Sequence, residues 1–432
     1  MSDVREFAGS MGVVRHVAAN DPSALDRVRV YRDFASVDFI LRSKAFRVLD
    51  ESDGFGREIS GPILHGTLVR IDGPEHFARR RIESALFRSP TLRRYEADIL
   101  RPALERVLSE LRARQVEGEP VRADLRSIGE EVLGELVGSL VGLDGINTPE
   151  GHRALQSYYQ DIDNGVRINW LNAGLEEMAA KAVTAMGKLT DEFITPSLRR
   201  REALLERITA GEIPASEMPA DLISLMLQNK DAYPGFEDGG MLTREVSLYL
   251  TASITTLINQ MCHLIHHVED WVVAHPEDAE RRADPVFLSQ ALRETVRLHG
   301  GPVLMRKATE DAVLPSGETV REGDLAWLMV RDASTDGDVF VGTPDAFDPT
   351  REVPDGVMPF GVEFGVGRHT CIGKRFAIGD DPDSKDPYVG AGALIMHVLY
   401  HHGMRLDPER SRSFLPDNPE VHASVPILLT RL

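Results

Sequence analysis

Apolar residues recur at intervals of three and four between about residues 75 and 300, which is the spacing of amphipathic α-helices. Residues 92–116 show one apolar stripe with charged residues on the opposite side. Thr148 and Asp284 each precede a proline, an order that begins helices, and Gly300 opens a glycine and proline run that ends one. The pattern therefore predicts a helix-rich core over about residues 75–300.

A long apolar helix is predicted over residues 243–268, beginning at a Thr243 cap. After residue 302 the pattern of apolar residues changes from helical spacing to short strand-like runs. Hairpins are predicted at 315–317 and 322–324.

These signals define a β-containing region at about 302–378 and a C-terminal helix with strands at 388–432. Because no linker or internal repeat divides the chain, residues 1–432 are predicted to form a single domain.

Composition narrows the classes of function. The 49 basic and 68 acidic residues give a formal net charge of −19, which disfavours non-specific binding to nucleic acid or to anionic membranes. The two cysteines exclude a disulfide framework and a multi-cysteine zinc site. A signal pattern is not evident, and no apolar run reaches the length of a membrane span. We therefore expect a soluble cytoplasmic protein with no nucleic acid and no membrane partner.

Two groups of histidines invite a metal interpretation: His263, His266 and His267 on the long helix, and His397 with His401 at i,i+4. Neither group has the glutamate of the His-Glu-x-x-His zinc arrangement, so we expect no zinc site. The chain also lacks Gly-x-Gly-x-x-Gly and a phosphate loop, so it is not expected to bind flavin or nicotinamide.

The most informative segment is 359–379, where Cys371 lies among Gly365, Gly367 and Gly373 and before a helix-like run. Glycines let backbone N–H groups approach a sulfur closely, and a helix N-terminus lowers the pKa of a thiol. A lone thiolate with donors around it suits one axial position of a haem iron. Taken alone, this cysteine also fits a glycine-rich turn with a buried structural thiol.

The spacing F-x-x-G-x-H-x-C-x-G over residues 364–373 resembles the haem-binding loop of the cytochrome P450 family. The resemblance covers about residues 20–430 and implies a mainly α cytochrome P450 fold with small β-sheet regions. It implies haem b (iron protoporphyrin IX) as the cofactor and Cys371 as the thiolate ligand of its metal. The same loop contributes Phe364, Gly365 and Gly373 to cofactor binding.

Other segments agree with this resemblance. Glu294 and Arg297 lie at i,i+3, which in isolation would be a weak surface salt bridge. Within the family they look like the Glu-x-x-Arg signature, which joins a meander arginine, here Arg351, in a buried structural network.

Four further residues stand where the family binds the haem propionates: His76, Arg80, Arg306 and His369. A propionate is a carboxylate, so a guanidinium fork and an imidazole N–H are suitable partners.

The helix expected on the distal haem face departs from the family pattern, which usually reads Ala-Gly-x-acid-Thr-Thr. The matching run here is 251–256, with Ala252 at the glycine and Ile254 at the acid. In the family the acid and the threonine relay protons. We therefore expect Thr255, with ordered water or a substrate group, to complete the relay, and the catalytic candidates are Thr255 and Thr256. Mid-helix threonines that bond back to a carbonyl are the alternative.

The resemblance also implies which residues contact the substrate: Ala252, Ser253 and Leu304, with the loop 54–70 and the segment 160–180. Apolar residues in these regions predict a small or medium, mostly apolar organic substrate.

An acidic insertion, GDDPDSKDP at 379–387, must interrupt the helix that the family usually begins after its cysteine loop. It is expected near the face where the family docks its electron donor. That face is predicted to be locally basic through Arg79, Arg80, Arg81, Arg368, Lys374 and Arg375. An acidic ferredoxin or similar electron donor is therefore the expected partner at the Cys371 face, with a role for the insertion in partner choice.

The expected function is that of a monomeric haem-thiolate monooxygenase that inserts one oxygen atom from O2 into its substrate with electrons from a separate ferredoxin system. Three alternatives stay open. Peroxide-driven, rearrangement or reduction chemistry would explain Ile254. A non-catalytic haem-binding sensor would keep Cys371, and a metallohydrolase would use the histidine groups.

Overall fold

Helices form most of the structure, as the sequence pattern predicts. The computed structural model describes residues 22–54, 57–167, 174–301, 303–381, 384–385, 387–416 and 418–432. The α-helices are, in chain order, α1 (Phe34–Arg42), α2 (Arg57–Leu64), α3 (Gly73–Glu83), α4 (Ser89–Tyr95), α5 (Arg101–Arg112), α6 (Leu125–Val141), α7 (Pro149–Val166), α8 (Leu175–Leu189), α9 (Thr195–Thr209), α10 (Leu222–Gln228), α11 (Gly240–Ala274), α12 (Pro285–His299), α13 (Val330–Ser334), α14 (Lys374–Ile378) and α15 (Ala391–His401).

Local sequence signals set most helix ends. The Thr148 side chain accepts the Gly151 N–H at 3.0 Å and begins α7, and the Asp284 side chain accepts the Val286 N–H at 2.9 Å and begins α12. The helix predicted over 92–116 is present as α4 and α5, joined by a π-helical turn at Glu96–Leu100. These predictions are confirmed.

The long helix α11 differs from the prediction at both ends. Its N-cap is Gly239, which has a φ of +70°, a left-handed conformation that glycine adopts without strain. No side chain caps this end of the helix. Thr243, predicted as the cap, lies inside the helix and is buried, and its hydroxyl lies 2.8 Å from that of Thr190. Tertiary packing therefore extends the helix beyond the segment that local signals mark. α11 packs against α6, α7, α12 and α15 and runs through the largest apolar core.

The strands form small sheets: β1 (Val28–Tyr31), β2 (Phe46–Arg47), β3 (Val121–Asp124), β4 (Leu304–Ala308), β5 (Ala312–Val313), β6 (Thr319–Val320), β7 (Leu325–Leu328), β8 (Arg405–Leu406), β9 (Ser413–Leu415), β10 (Asn418–Ser424) and β11 (Pro426–Leu429). The described sheets have the orders β1-β7-β4-β2, β3-β11-β8, β9-β10 and β5-β6. The hairpin predicted at 315–317 is confirmed, because β5 and β6 pair antiparallel around it.

The second predicted hairpin, at 322–324, is wrong. The chain turns there, but β7 leaves β6 and pairs in parallel with β1 and antiparallel with β4. Every residue of β7 is buried. An inner position in the four-stranded sheet buries these apolar side chains better than the edge of a two-stranded ribbon would.

A buried ionic network ties α12 to the segment before the cysteine loop. Arg297 donates to both carboxylate oxygens of Glu294, at 2.7 and 2.6 Å, and Arg351 Nε donates to Glu294 Oε1 at 3.2 Å. Arg297 is fully buried and also donates to the Ser334 and Pro344 carbonyls, at 2.9 and 2.7 Å. The predicted network of Glu294, Arg297 and Arg351 is thus confirmed as a structural one.

Candidate functional site

The loop that carries Cys371 is closed by backbone hydrogen bonds. The Cys371 N–H donates to the Phe364 carbonyl at 2.7 Å, and the Gly365 N–H donates to the Val362 carbonyl at 2.8 Å. Gly365 and Gly367 have φ values of +64° and +72°, and a Cβ on Gly367 would lie only 3.0 Å from a backbone oxygen of α1. Glycine is therefore required at 367 both by conformation and by space.

The Cys371 side chain is solvent-accessible although protein atoms surround it closely. Burial raises the pKa of its thiol above the ordinary cysteine value, against the backbone N–H groups of Gly373 and Lys374 and the charge of Arg80, which lower it. The expectation of a lowered pKa is therefore wrong for the protein by itself. Desolvation outweighs the two backbone N–H groups and the nearby positive charges, whereas coordination to a metal deprotonates a thiol outright.

The propionate candidates His76 and His369 lie together, with ring centroids 4.2 Å apart. His76 is buried, and its Nδ1 has no hydrogen-bond partner among the described residues. Burial lowers the pKa of His76 to about 4, helped by the charges of His369 and Arg80, so the ring is neutral at physiological pH. A neutral imidazole with an unused nitrogen can donate to a carboxylate.

A carboxylate already lies against this group. Asp72 Oδ2 is 3.3 Å from His369 Nε2, and Asp72 Oδ1 is 3.2 Å from Arg368 Nε. Burial raises the pKa of Asp72, but His369 and the Gly73 N–H lower it more, so the pKa lies well below the ordinary aspartate value. Arg368 thus supplies positive charge, and Arg368 and His369 both supply N–H donors, to hold a carboxylate. Sequence reasoning missed Asp72, which only the fold brings beside them.

The two arginines predicted at this site are oriented by the backbone. Arg80 Nη2 donates to the Thr370 carbonyl at 2.5 Å, within the cysteine loop. Arg306 is buried on β4 and donates to the Met305 carbonyl at 2.9 Å. The donor set therefore fits a haem: one thiol with two backbone N–H groups, an unused buried imidazole nitrogen, and a group that holds carboxylates.

The middle of α11 presents its side chains in two directions. Ala252 and Thr256 are exposed, lie four residues apart on one face, and are joined by a 2.5 Å hydrogen bond from the Thr256 hydroxyl to the Ala252 carbonyl. Ile254 and Thr255 are buried, with 0% and 2% exposure, and Ser253 is half-buried. The accessible face therefore belongs to Ala252 and Thr256, and Thr255 points away from it.

The remaining substrate candidates are only partly described. Leu304 is half-buried on β4 and borders the cysteine loop, because a Cβ on Gly365 would lie 4.0 Å from its Cδ1. Residues 55–56 of the loop 54–70 and residues 168–173 of the segment 160–180 lie outside the described residues.

The predicted basic face is smaller than the sequence indicates. Arg79 is fully buried, so its assignment to that face is wrong: its Nη2 lies 2.5 Å from Glu245 Oε2, and its Nε lies 3.8 Å from Glu83 Oε1. The i,i+4 spacing from Arg79 to Glu83 was a signal for this pairing. Arg368 is paired with Asp72 as described above.

The insertion after the cysteine loop neutralises another of these arginines. Arg375 Nε lies 2.5 Å from Asp380 Oδ1, and the Asp380 N–H donates to the Tyr388 carbonyl at 2.7 Å. Helix α14 ends at Ile378 and α15 begins at Ala391, so the predicted helix interruption is confirmed. Residues 382, 383 and 386 of the insertion lie outside the described residues. Arg81, which was also predicted for the basic face, is exposed.

The histidines of α11 pack with two others. His263 stacks on His299 with centroids 3.9 Å apart and lies 4.4 Å from His422, and His267 Nε2 is 2.8 Å from His299 Nε2. His397 Nδ1 lies 2.6 Å from the Ala283 carbonyl. Within the described ranges, no set of three or more His, Cys, Asp or Glu side chains is arranged to hold a metal ion.

None of the helices described is both long enough and apolar enough to cross a bilayer.

Comparison with known proteins finds relatives of one family. The family model described as Cytochrome P450 matches residues 168–379. Cytochrome P450 107B1 of Saccharopolyspora erythraea is 25% identical over 352 residues, which cover 81% of this chain and 74% of that protein. Cytochrome P450-SU2 of Streptomyces griseolus is 28% identical over 329 residues, which cover 74% of this chain and 68% of that protein.

Solved structures share the fold along almost the whole chain. P450BioI in complex with hexadec-9Z-enoic acid ligated acyl carrier protein aligns with a TM-score of 0.66 and 17% identity, over 93% of this chain and 92% of that one. CYP109E1 from Bacillus megaterium in complex with testosterone aligns with a TM-score of 0.65 and 19% identity, over 94% of both chains. At this level of identity the likeness establishes the fold.

The fold, the cysteine loop and the relatives lead to one assignment: the chain belongs to the cytochrome P450 family and is a monooxygenase-type oxidoreductase of that family.

Proposed function

We propose that the protein is a haem-thiolate monooxygenase that uses O2 and electrons from a separate ferredoxin system to insert one oxygen atom into a small or medium, mostly apolar organic substrate. The observation that carries the proposal is the Cys371 loop, where backbone N–H groups face the sulfur beside a group of side chains that holds carboxylates. The haem, when bound, supplies the oxygen-activating chemistry. The proposed setting is the cytoplasm, and the proposed state is a monomer.

We assign different roles to the residues of the cysteine loop, the propionate group and α11. Cys371 is the proposed ligand of the iron, and the N–H groups of Gly373 and Lys374 would moderate the charge on its sulfur. The neutral ring of His76, with Arg80, Arg306 and His369, would bind the two propionates. Thr256, whose hydroxyl donates to the Ala252 carbonyl on the accessible face of α11, would lie toward the substrate.

The substrate is proposed to contact Ala252, Ser253 and Leu304. These side chains offer small, mostly apolar surface with one hydroxyl, which favours an apolar ligand held by shape. Two structural neighbours with bound ligands carry a fatty acid on an acyl carrier protein and a steroid, both mainly apolar.

The electron donor is proposed to be a ferredoxin that docks on the Cys371 side. Exposed Arg81 and half-buried Lys374 keep positive charge there, although fewer arginines are available than the sequence indicates. Asp380 pairs the insertion with Arg375 at the same side, which supports a role for the insertion in which donor fits. Deleting residues 381–387 should change the rate of first electron transfer from a given ferredoxin, and an unchanged rate would remove this role.

A second candidate function has its own support. Within α11 the segment 251–256 has no acidic residue, so a proton path from α11 alone is incomplete. Chemistry driven by peroxide, which brings its own protons and electrons, would not need that path.

The experiment that tests the proposal begins with a library screen for compounds that shift the spin state of the ferric protein. A compound that binds is then incubated with O2, NADPH, a ferredoxin and its reductase, and in parallel with hydrogen peroxide alone. The proposal expects an oxygenated product that takes its atom from 18O2 and needs the ferredoxin. Product from peroxide alone would favour the second candidate, and no turnover with any donor would indicate a haem-binding sensor.

A further inference from the structure

The Thr255 hydroxyl differs from those of the neighbouring threonines of α11. Thr251 and Thr256 each donate to the carbonyl four residues earlier, at 3.0 and 2.5 Å, as mid-helix threonines commonly do. Thr255 has 2% exposure, and its hydroxyl oxygen has no hydrogen-bond partner among the described residues. Because buried hydroxyls are normally bonded, this group needs an explanation.

The group opposite Thr255 is the carboxyl of Asp163, near the end of α7. The Thr255 hydroxyl is close enough to lower the pKa of this carboxyl, although no direct hydrogen bond joins the two. Arg167 holds the same carboxyl, with its Nε 2.9 Å from Asp163 Oδ2. The two side chains keep 13% and 20% exposure, so the pair is largely enclosed but still reached by water.

Packing against α8 and α2 fixes the end of α7. Gly165 lies two residues after Asp163, and a Cβ there would lie 2.4 Å from the Ala182 Cβ of α8 and 2.7 Å from the Ile63 Cδ1 of α2. Only glycine permits this close approach, so α8 and α2 fix the end of α7, and α7 as a whole packs against α11.

The electrostatic surroundings of Asp163 favour a carboxyl that can exchange its proton. Burial raises its pKa above the ordinary aspartate value, against Arg167 and Thr255 and against Arg126 of α6, which lower it. Arg126 is itself paired with Glu130 at 2.9 Å. The buried Tyr159 phenol on α7 has a raised pKa, through burial first, and stays neutral. A carboxyl with raised proton affinity suits proton transfer nearer to neutral pH.

We propose that Asp163 is a positioning residue of the proton path: from α7 it supplies the carboxyl that α11 lacks at Ile254, and it acts through the Thr255 hydroxyl. The inference rests on the proposed monooxygenase function. In the transfer, Asp163 gives its proton toward the Thr255 oxygen, directly or through one water, while Thr255 passes its own proton through water to the hydroxyl of the next residue, Thr256, which lies on the accessible face of α11. Solvent water then returns a proton to the carboxylate, so the step consumes neither oxidant nor reductant.

The first test reads the Asp163 carboxyl without turnover. Infrared difference spectra of the wild type and Asp163→Asn identify the C=O band of the protonated carboxyl, which is then titrated. We expect protonation above the ordinary aspartate pKa, and Thr255→Val should move the titration further upward because it removes a hydroxyl that lowers the pKa. An unchanged titration in Thr255→Val would overturn the coupling.

The second test measures how quickly O2 returns the dithionite-reduced protein to the ferric state at a series of pH values. In the wild type we expect this rate to increase as the pH falls, and Asp163→Asn should slow it roughly tenfold and remove the pH dependence. Asp161→Asn is the matched control, because Asp161 is exposed on the same helix. Asp163→Glu keeps the carboxyl and should restore the pH dependence.

The outcomes separate this inference from the proposed function. If Asp163→Asn keeps the Soret band of a thiolate-ligated carbon monoxide complex and also keeps the wild-type pH profile, the role of Asp163 is refuted alone. If the wild type itself lacks that band, the monooxygenase function fails and the proton path fails with it.

Discussion

Replacing Arg79 by methionine tests the buried ionic cluster beneath α3. The Arg79 guanidinium stands against two buried carboxyls, Glu245 at 2.5 Å and Glu83 at 3.8 Å, and also donates to the Gly66 carbonyl at 2.5 Å. One positive charge therefore faces two acids. Burial raises the pKa of Glu245 to about 8, with the charge of Glu83 as the next cause, so the cluster retains a proton near neutral pH.

The expected cost follows from the groups that Arg79→Met leaves without a donor. The Glu245 carboxyl and the Gly66 carbonyl each lose a hydrogen bond, and an unsatisfied buried group costs about 1–3 kcal/mol. Breaking a buried ion pair by removing one partner costs about 3–5 kcal/mol, so we expect a loss of about 4 kcal/mol in the free energy of unfolding. Arg81→Met is the matched control, because Arg81 is exposed on the same helix and should cost no more than about 0.5 kcal/mol.

The loss of stability in Arg79→Met should also depend on pH, in a direction that the pKa of Glu245 determines. Without Arg79 the pKa of Glu245 rises further, so the folded state binds more protons than the unfolded state over a wider range. Stability is then lost as the pH rises from the ordinary glutamate pKa through the folded value. Urea unfolding of both variants, followed by far-UV circular dichroism at about pH 6 and about pH 8, reads this difference. A loss for Arg79→Met that matches Arg81→Met, or that is larger at pH 6 than at pH 8, would refute the reasoning.

Two further predictions concern other buried groups. Glu294→Gln leaves Arg297 and Arg351 without their carboxylate and should lower the free energy of unfolding by about 3–5 kcal/mol. The loss should be measured as a lower midpoint of thermal unfolding. Glu310→Gln is the control, because Glu310 is exposed and its replacement should leave the midpoint unchanged. Burial lowers the pKa of His263 and His299 to about 3 and that of His266, His267 and His422 to about 4. Because the unfolded state then binds more protons, stability should fall by about 1 kcal/mol or more per pH unit below the ordinary histidine pKa of about 6.5. His299→Gln should reduce the slope of unfolding free energy against pH, and an unchanged slope would contradict this account.

Local signals were sufficient for much of the fold. The caps at Thr148 and Asp284 and the hairpin at 315–317 depend on groups a few residues apart, and the structure has them where predicted. The N-terminus of α11 and the partner of β7 depend on distant packing. Local signals therefore predict a cap at Thr243 and a hairpin at 322–324, and the structure has neither.

The candidate site shows the same division. The loop around Cys371 could be predicted from its residue spacing, because the loop is closed by local hydrogen bonds. These bonds join residues that are at most seven positions apart. Proximity in sequence does not tell whether an arginine is exposed. Arg79 and Arg81 are two residues apart on α3, yet Arg79 is fully buried and Arg81 is exposed. Helical periodicity separates such neighbours only when the core-facing side is known.

The acid missing from α11 illustrates a third case. The sequence of α11 alone shows Ile254 at the position of the acid, whereas a carboxyl close to Thr255 comes from Asp163, almost a hundred residues earlier. Nothing in the sequence of α7 distinguishes Asp163 from the exposed Asp161 except its position relative to a helix that the fold alone brings beside it.

The carbon monoxide spectrum of the reduced protein tests the central claim most directly, because it reports the iron ligand and needs no substrate. Cys371→Ala and Cys262→Ala form the matched pair, since Cys262 is fully buried in α11 among apolar residues. We predict that the wild type and Cys262→Ala show the red-shifted Soret band of a thiolate-ligated haem and that Cys371→Ala loses it. A wild type without that band, or a Cys371→Ala variant that keeps it, would contradict the assignment of Cys371 as the haem ligand.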